Sequence, residues 1–575
     1  MAKPQKSTEQ VNTLNHFVKG ALSNHQFFYI LTTFLSLQLS GCSKTDNSTI
    51  RDNVLVYCSE ASPQSFNPQL VTSGPTFDAS SRQIYNRLIE FEIGKNNLEP
   101  SLATRWEVSD DGKSYTFHLR KGVTFHSTQG FEPSRAFNAD DVLFSFQRQW
   151  KSNHPYHRVS PLSFRYFESM GLDRHIKNII KVDDYTVKFE LNSPQAPFLA
   201  TLAMDFASIL SEEYAQNLTE LGKPEQIDNM PVGTGPFQLV RYQPDAFIRY
   251  KPHPSYWKGK EQLEGLVFAI TPDPSLRFAR LIAGECDIMA KPLPIQIEAA
   301  YNYPQLAKYS EPGSNVSYLA MNTRKKPFDN LNVRLAINHA IDKKAILKIV
   351  YDNNAEEAVN PIPPNVWSYD DSAKPLSHSY SKAKQLLIEA GYPDGFSMEL
   401  WAMPVQRTYN PNAIKMAELI QQDLEKIGVK ARIVSYEFGT FLEKVKDGEH
   451  HAALLGWVGD NGDPDNYMSS LLSCSASRSG NNGAYWCDAQ FDSYIQKAST
   501  LSDIKERSKL YVKAQRRFNE QYPWVAIAHA KQFVLANKRV KNLKLTATDG
   551  MYFSGVYLQK QPAQIELLGS SSEDP

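Results

Sequence analysis

Alternation of apolar and polar residues predicts antiparallel hairpins mixed with short helices over the first half of the chain. In residues 101–120, two runs in which every second residue is apolar flank the turn sequence Asp110-Asp111-Gly112. This pattern is typical of two half-buried strands joined by a tight turn. Farther on, Asn138 with Asp141 three residues later predicts the start of a helix, because an Asn side chain can cap the free N–H groups of a first turn.

From about residue 330 the pattern changes to apolar strands that alternate with helices. Strands are predicted at 396–402, 429–436 and 452–457, and helices at 413–427 and 439–446. Strands joined by helices form parallel sheets that the helices cover. Ligands of such sheets bind in the crevice beyond the carboxyl ends of the strands.

Two charged residues lie just beyond these predicted strand ends. Arg407 is within the loop Met403–Pro411 after the first strand, and Asp460 is within the loop Gly456–Asn466 after the third. Both loops are rich in Pro, Gly and Asn, which predicts rigid, shaped connections. We therefore predict that both charges line one crevice. Position alone leaves a second interpretation open, in which Arg407 is a surface charge and Asp460 forms a turn.

The N-terminus has the pattern of a lipoprotein export signal. Lysines precede an apolar run over 27–39, which is short for a bilayer span and has the length of a signal-peptide core. The run ends in Leu39-Ser40-Gly41-Cys42, which resembles a lipobox whose Cys carries the lipid. We expect a signal peptide over 1–41, lipidation of Cys42 and a flexible tether over 42–52. An uncleaved anchor with an incidental Cys is the alternative.

Length and charge bound the fold and the partners. A chain of 575 residues exceeds what one hydrophobic core usually serves, so two or more lobes are expected. Lys+Arg and Asp+Glu both number 62, so the formal net charge is zero and we expect no nucleic-acid partner. The proportions of 41% hydrophobic and 22% charged residues are typical of a soluble globular protein.

Beyond Cys42 the chain has four cysteines, Cys58, Cys286, Cys474 and Cys487. An even number in an exported chain predicts disulfides, and four cysteines allow three pairings. Cys474 and Cys487 are close enough along the chain to close one loop, which leaves Cys58 with Cys286. A zinc site is disfavoured because the sequence has no CxxC pair and no spaced His pair.

The sequence lacks the common catalytic and metal-binding signatures. HExxH, GxSxG and Walker A motifs are absent. An EF-hand loop starting at Asp460 would need Glu where Leu471 stands and Gly where Asp465 stands. We interpret His450-His451 as exposed, since neighbouring side chains at a strand start face opposite ways and cannot easily chelate one ion. We expect no metal, no cofactor and no enzymatic activity.

Several segments resemble the peptide/nickel family, family 5, of extracytoplasmic solute-binding proteins. They are Asn138–Val142, Pro231–Phe237 with Tyr256-Trp257, and Val333-Arg334 with Ala340–Asp342. Others are similar to the dipeptide-binding subfamily of Gram-negative bacteria, namely Trp401–Pro411, Gly456–Asn466 and the Cys474/Trp486-Cys487 pattern. The resemblance extends from about Val54 to about Tyr557, which is essentially the whole chain after the export signal.

This resemblance implies an α/β fold of two lobes that close on a ligand by a hinge, the type II periplasmic-binding-protein fold with an extra subdomain. We expect lobe I over 53–312 and 531–567 and lobe II over 313–530. Paired crossover segments are expected near 311–322 and 526–537. The family also implies the disulfides Cys58–Cys286 and Cys474–Cys487, in agreement with the spacing.

The resemblance assigns roles to eight candidate ligand-binding residues. In the subfamily, the residue matching Arg407 holds the ligand carboxylate and the residue matching Asp460 holds its ammonium group. The loop Thr72-Ser73-Gly74 corresponds to the contact of the other lobe with the peptide backbone. Tyr409, Phe438 and Trp457 complete the expected set. The family usually has Trp where this chain has Phe438, a departure expected to change side-chain preference without affecting the charged anchors.

These implications predict the solute-binding component of an ABC peptide importer, a monomer that captures dipeptides and delivers them to the permease subunits. The protein is expected in the periplasm of a Gram-negative bacterium, held to a membrane by its lipid. Relatives that bind haem or antimicrobial peptides share much of the pattern, so capture of haem or an antimicrobial peptide is the alternative. A metal-dependent peptidase is the alternative from another class, although no hydrolase motif supports it.

Overall fold

A computed structural model of the chain describes residues 53–93 and 97–559, so Cys42 and the predicted signal and tether lie outside the described residues. The strands are β1 (Val54–Ser59), β2 (Ile89–Phe91), β3 (Leu98–Pro100), β4 (Ala103–Val108), β5 (Ser114–Leu119), β6 (Ile176–Asp183), β7 (Thr186–Leu191), β8 (Phe237–Gln243), β9 (Phe247–Pro252), β10 (Gly265–Ile270), β11 (Ile288–Ala290), β12 (Leu306–Pro312), β13 (Asn315–Met321), β14 (Ala355–Glu357), β15 (Ser397–Trp401), β16 (Lys430–Val434), β17 (Ala452–Val458), β18 (Trp524–Asn537), β19 (Val540–Lys541) and β20 (Tyr557–Leu558).

The α-helices connect and cover these strands. They are α1 (Gly74–Ala79), α2 (Ala139–Trp150), α3 (Arg165–Ser169), α4 (Leu172–His175), α5 (Phe198–Leu202), α6 (Glu212–Glu220), α7 (Pro274–Ile282), α8 (Pro294–Ala299), α9 (Leu331–Ala340), α10 (Lys343–Tyr351), α11 (Tyr380–Glu389), α12 (Ala413–Glu425), α13 (Phe438–Lys446), α14 (Pro464–Leu472), α15 (Cys474–Ser479), α16 (Ala489–Ser499) and α17 (Ile504–Gln521). Within the described residues, none of them is long and apolar enough to span a membrane.

The long strand β18 runs through both lobes and joins their sheets. Its first half pairs with β13 and its second half with β12, antiparallel in both cases. β12 and β13 follow one another in the chain, so this strand pair and β18 are the two crossovers between the lobes. At the junction, the N–H of Gly313 donates to the carbonyl of Ala530 at 3.2 Å. The predicted paired crossovers are thus present.

The main sheet has the order β16-β15-β17-β13-β18-β11-β1-β10-β9-β8, with β12 and β14 also paired to β18. β15 is parallel to both β16 and β17, as predicted for strands joined by helices. The next pair, β13 with β17, is antiparallel, which the sequence pattern did not indicate. The predicted hairpin is β4–β5, and it belongs to a separate antiparallel sheet of order β4-β5-β7-β6.

Two large hydrophobic cores correspond to the two lobes of this α/β fold. One core is formed by buried side chains between Leu55 and Ala290 together with those between Val534 and Leu558. The other is formed by buried side chains between Val316 and Ala530. The chain therefore leaves the first core, builds the second and returns. The finer lobe boundaries after residues 312 and 530 stay predictions.

Both predicted disulfides are present. Cys58 of β1 is bonded to Cys286, which lies two residues before β11, so the bond ties β1 to the segment that leads into its neighbouring strand in lobe I. Cys474 at the start of α15 is bonded to Cys487 and closes a short loop of lobe II. Disulfides of this kind stabilise mainly by restricting the unfolded chain, typically by about 2–4 kcal/mol each.

His450 contradicts the expectation of an exposed histidine pair. Its side chain is 0% exposed, and Nε2 lies 2.7 Å from the carbonyl oxygen of Gly483. Burial lowers the pKa of His450 to about 4, so the ring is neutral at physiological pH. His451 is partly exposed. The expectation was wrong for His450 because the residues just before β17 lie beneath the loop that contains Gly483.

The helix start predicted at Asn138 is a capping box. The Asn138 side chain accepts a hydrogen bond from the N–H of Asp140, and the Asp141 carboxylate accepts one from the N–H of Asn138. The buried Asp141 carboxylate also accepts two hydrogen bonds from Arg135, at 2.7 and 2.9 Å, and one from the N–H of Glu212 at 2.8 Å. Asp141 therefore joins α2, α6 and the preceding loop.

Asp141→Ala should lower the free energy of unfolding by about 3 kcal/mol, because it removes a cap and the two charge-assisted hydrogen bonds from Arg135, which keeps only the Glu212 carboxylate as a partner. Chemical unfolding followed by circular dichroism measures the loss. Asp140→Ala is the matched control, since among the described residues the Asp140 carboxylate pairs with the exposed Lys181, and this variant should lose far less stability. Equal losses in the two variants would contradict this role for Asp141.

Candidate functional site

A cavity of about 1080 Å³ lies between the two lobes and brings the predicted site residues together. All of the residues predicted to contact a ligand line it: Thr72, Ser73 and Gly74 from lobe I, and Arg407, Tyr409, Phe438, Trp457 and Asp460 from lobe II. The two charged residues thus share one crevice, beyond the carboxyl ends of β15 and β17. Their individual contacts with a ligand stay predictions.

The loop that carries Arg407 is held in a tight turn. The backbones of Arg407 and Asn410 exchange two N–H···O hydrogen bonds, each of 3.0 Å. The hydroxyl of Tyr351 donates to the carbonyl oxygen of Tyr409 at 2.8 Å. The Tyr409 ring packs on the backbone of Gly456 in β17, where a Cβ atom would lie only 2.2 Å from the ring. The position of this loop therefore depends on a glycine in the neighbouring strand.

The Arg407 guanidinium has hydrogen-bond donors to spare. Its Nη1 donates to the carbonyl of Gln406 at 3.1 Å, and its Cζ lies 4.2 Å from the centroid of the Phe438 ring. No described carboxylate forms an ion pair with it. Since a guanidinium carries five N–H donors in a planar fork, this arrangement leaves a forked donor for a carboxylate that enters the cavity.

Asp460 is held by hydrogen bonds from both lobes. Its Oδ1 accepts from the hydroxyl of Tyr166 in lobe I at 2.9 Å, and its Oδ2 accepts from Nδ2 of Asn466 at 3.1 Å. The N–H of Asp460 and Nε1 of Trp457 both donate to Oδ1 of Asn466. Asn466 therefore fixes the carboxylate and the neighbouring indole together.

The electrostatics of Asp460 favour a cationic ligand group. Desolvation by burial, helped by the nearby Asp205, raises the pKa of Asp460 to about 6, although hydrogen bonds from Tyr166 and Asn466 and the charge of Arg82 act in the opposite direction. Within the described chain, no Lys or Arg forms an ion pair with this carboxylate. Two of its roughly four acceptor positions are occupied, so the others remain for an ammonium group.

The segment after Asp460 is anchored in the lobe II core. Asp463 is the N-cap of α14, and both of its carboxylate oxygens accept from Nη2 of Arg507 at 2.8 and 2.9 Å. Both side chains are buried. This pair fixes the loop from the side opposite to the cavity, so that Asp460 projects from a rigid support.

Lobe I contributes a charged group to the cavity wall. Nζ of Lys291 lies 2.7 Å from Glu60 and 3.4 Å from Asp549, and Oγ1 of Thr408 in lobe II donates to Asp549 at 2.7 Å. Lys291 and Asp549 both have left-handed backbone conformations, with φ of 52° and 64°. Residues other than Gly seldom adopt such conformations, and those that do often lie at functional sites.

The loop Thr72-Ser73-Gly74 lies on the same wall, immediately before and at the start of α1. Ser73 is the N-cap of this short helix, and its side chain makes no capping hydrogen bond. A Cβ atom on Gly74 would lie 4.0 Å from Nζ of Lys291. The loop is therefore next to the charged group of lobe I, and its three residues line the cavity.

Sequence reasoning missed the residues that reach the site from lobe I. Tyr166 is 294 positions away from Asp460, and Asp549 is 141 positions away from Thr408. No local pattern distinguishes these residues from other Tyr and Asp residues, so only the fold reveals them. Within the described residues, no group of three or more His, Cys, Asp or Glu side chains is placed to hold a metal ion.

The sequence is similar to that of known peptide-binding and haem-binding proteins. It is 50% identical over 525 residues to the dipeptide-binding protein of Escherichia coli K12, covering 91% of this chain and 98% of that protein. It is 47% identical over 499 residues to heme-binding protein A of Haemophilus influenzae Rd, covering 87% and 91%.

The fold has close counterparts among solved structures. The dipeptide-binding protein of Pseudoalteromonas sp. SM9913, solved in complex with Met-Leu, matches with a TM-score of 0.79 at 42% identity, over 88% of this chain and 100% of that one. The family model for bacterial extracellular solute-binding proteins, family 5 (middle region) matches residues 97–479. The chain therefore belongs to family 5 of the bacterial extracellular solute-binding proteins.

Proposed function

We propose that this protein is the solute-binding component of an ABC importer, which captures dipeptides between its lobes and delivers them to the permease. The observation that carries the proposal is that Arg407 and Asp460 line one cavity while neither forms an ion pair with the described residues. A zwitterionic dipeptide supplies the two missing charges. Its carboxylate would meet the Arg407 guanidinium, and its ammonium group would meet the Asp460 carboxylate.

Two fixed charges can select the length of a peptide. The termini of a dipeptide are separated by about 7 Å, at 3.3–3.6 Å per extended residue. A longer peptide would leave one terminus away from its partner, and a buried charge without a partner costs several kcal/mol. Length selection therefore needs no contact with the ligand side chains, which the cavity can accommodate with bridging waters.

Closure of the lobes follows from contacts that a ligand makes with both. Only a ligand that binds the closed form more tightly can shift the balance toward it. Asp460 and Arg407 would hold the termini on lobe II, while the backbone of Thr72-Ser73-Gly74 would contact the peptide from lobe I. The hydrogen bonds from Tyr166 to Asp460 and from Thr408 to Asp549 already join the lobes at these two loops. We propose that the permease recognises this closed form.

Titration calorimetry on the wild-type protein tests the dipeptide function. A dipeptide should bind, whereas its N-acetylated form, its C-terminal amide and a free amino acid should each bind at least tenfold more weakly, because each lacks or misplaces one charge. Equal binding of all four compounds would contradict the proposal. Incubation with the same dipeptides should release no free amino acids, since we propose binding without hydrolysis.

Haem is the second candidate ligand, and the similarity to heme-binding protein A supports considering it. The described residues that line the cavity include Tyr166, Met204, Tyr351, Tyr409 and Tyr552 but neither His nor Cys. Haem iron held here would therefore need a Tyr or Met ligand. A Soret band after haem addition that dipeptides fail to displace would favour haem over dipeptides. Displacement of dipeptides by a long cationic peptide would favour antimicrobial-peptide capture.

We also propose that the mature protein is a periplasmic lipoprotein and a monomer, anchored by lipid on Cys42. The lipobox-like sequence before Cys42 supports this proposal. Mass spectrometry of the detergent-extracted protein should find the leader removed and the lipid on Cys42. An intact leader or an unmodified N-terminal Cys would contradict the anchor while leaving the binding function unaffected.

Dipeptide affinity should decrease as the pH falls below about 6. The ligand ammonium binds the ionised form of Asp460 and lowers its pKa in the complex, so below about 6 the free protein must release a proton before it can bind. The affinity should then fall by up to tenfold per pH unit. Above pH about 8 it should fall again, because the ligand α-amino group loses its proton.

Calorimetry at a series of pH values from about 4.5 to about 9 measures this profile, because the range includes both expected decreases in affinity. Asp460→Asn is the control, since it removes the acidic decrease that Asp460 causes. Asp78 and Asp465, whose pKa values are also raised to about 6, stay in place in this variant. An acidic decrease that persists in Asp460→Asn would assign it to one of those residues instead.

A further inference from the structure

We infer that Phe438 acts as a positioning residue, whose ring holds the Arg407 guanidinium in place for the ligand carboxylate. This inference rests on the proposed dipeptide function and adds a role for an aromatic residue that was predicted to contact the ligand directly. The guanidinium carbon lies 4.2 Å from the centroid of the Phe438 ring, which is the distance of a close cation–π stack.

Arg407 has few other contacts that could orient it. Besides the ring, its guanidinium donates to the carbonyl of Gln406, the residue that precedes it. The Tyr409 hydroxyl is the other polar group near the guanidinium: the Arg407 charge and a side-chain hydrogen bond with Arg407 act to lower the pKa of Tyr409, which burial raises to about 12. Without the ring, a long and flexible side chain would lose considerable rotamer entropy each time it bound a carboxylate. A guanidinium that is already held avoids most of that loss.

The Phe438 ring is itself fixed by the fold. Phe438 is the first residue of α13, and the Glu437 carboxylate caps this helix by accepting from the N–H of Thr440 at 3.1 Å. The ring is partly buried against the hydrophobic core of lobe II. The guanidinium lies over the ring, and the ring itself packs on the core of lobe II. The position of the ring therefore depends on lobe II and not on the ligand.

The position of the guanidinium carbon over the ring also limits which part of Arg407 can meet the ligand. Guanidinium groups stacked on a ring keep their N–H donors directed outward in the plane of the group, where a carboxylate can accept two of them in parallel. Phe438 therefore determines the direction of the fork. The ring contributes to recognition of the C-terminal carboxylate without touching it, and this separates a positioning role from an apolar contact with a ligand side chain.

The test compares Ala-Ala with Ala-Ala amide in calorimetry on Phe438→Leu and Phe438→Trp. If the ring acts through Arg407, Phe438→Leu should weaken Ala-Ala binding by about tenfold and leave the binding of the amide nearly unchanged, because the amide has no carboxylate for Arg407. Phe438→Trp keeps an aromatic face and should retain the wild-type affinity. Equal losses for both ligands, or no loss for either, would overturn the inference.

A second measurement needs no ligand binding. Crystals of the ligand-free wild-type protein should show the Arg407 guanidinium ordered over the ring, and those of Phe438→Leu should show it displaced or in several positions. A guanidinium that stays in the same position in Phe438→Leu would overturn the positioning role. If the wild-type protein bound no dipeptide, the proposed function would fail while these crystals still decided the role of Phe438.

An Arg407→Met background completes the test. Phe438→Leu should cause no further loss of Ala-Ala affinity in this background, because the group that the ring positions is absent. An additional loss comparable to that in the wild-type protein would show that Phe438 contacts the ligand by itself. Thermal unfolding of every variant identifies losses that come from misfolding, and Phe438→Met is a second apolar, non-aromatic substitution if Phe438→Leu is unstable.

Discussion

Asp460→Asn should weaken dipeptide binding by about a hundredfold while leaving the fold intact. Asn keeps the shape of the side chain, and its single oxygen can still accept a hydrogen bond from Tyr166 or from Asn466, but it lacks the second acceptor oxygen and the charge that the ligand ammonium would meet. Removing one partner of a desolvated charge pair typically costs about 2–5 kcal/mol, and about 2.7 kcal/mol corresponds to a hundredfold change in Kd. Calorimetry with one dipeptide measures the loss.

The charge on the ligand provides the sharpest control for this variant. An N-acetylated dipeptide has no ammonium group, so Asp460→Asn should change its already weak binding very little. Asp447→Asn is the matched protein control, because Asp447 is an exposed C-cap residue of α13 in the same lobe. An Asp460→Asn variant that bound dipeptides within tenfold of the wild-type affinity would remove the basis for the proposed ligand class.

Gly456→Ala should lower dipeptide affinity by at least tenfold, although it adds only one methyl group and changes neither Arg407 nor Asp460. The new Cβ atom would lie 2.2 Å from Cδ2 of Tyr409, a distance at which the ring must move. Tyr409 is two residues from Arg407, and the loop between them has little freedom because the Tyr351 hydroxyl and the Arg407–Asn410 hydrogen bonds hold it. Displacing the ring therefore displaces the guanidinium.

The same substitution should also destabilise lobe II by about 1–3 kcal/mol, the usual effect of forcing an extra group into a packed site. Gly130→Ala is the matched control, since a Cβ atom there meets nothing within 4 Å and neither affinity nor stability should change. Calorimetry and chemical unfolding measure the two effects. Wild-type affinity in Gly456→Ala would mean that Arg407 does not depend on the packing of Tyr409.

Local sequence patterns predicted much of the fold because they depend on neighbouring residues. The hairpin β4–β5 follows from strict alternation around a Gly-containing turn, and the capping box of α2 follows from Asn138 and Asp141 three residues apart. The strands β15, β16 and β17 were predicted within a few residues of their observed ends. The antiparallel pairing of β13 with β17 was not predicted, since it depends on how the chain enters lobe II from lobe I.

The predicted site was reached through a rule about strand ends and through the family resemblance. The structure places Arg407 and Asp460 on one cavity, and it adds contacts that the sequence did not indicate. Phe438 lines the cavity and stays a predicted ligand contact, and its ring also lies against Arg407, which the sequence did not indicate. His450 was expected to be exposed, whereas it is buried beneath the Gly483 loop. These differences arise from packing between segments that are separate in the sequence.

The sequence by itself determined the periodic elements, the paired cysteines and the two loops that present a cation and an anion, because each is encoded within a short stretch or a motif of the chain. Only the tertiary structure decided that Tyr166 reaches Asp460, that Thr408 reaches Asp549, and that a glycine in β17 makes room for Tyr409. Those contacts join residues that are distant along the chain. Their distances are set by how two hydrophobic cores pack around one shared sheet, and no local pattern contains that information.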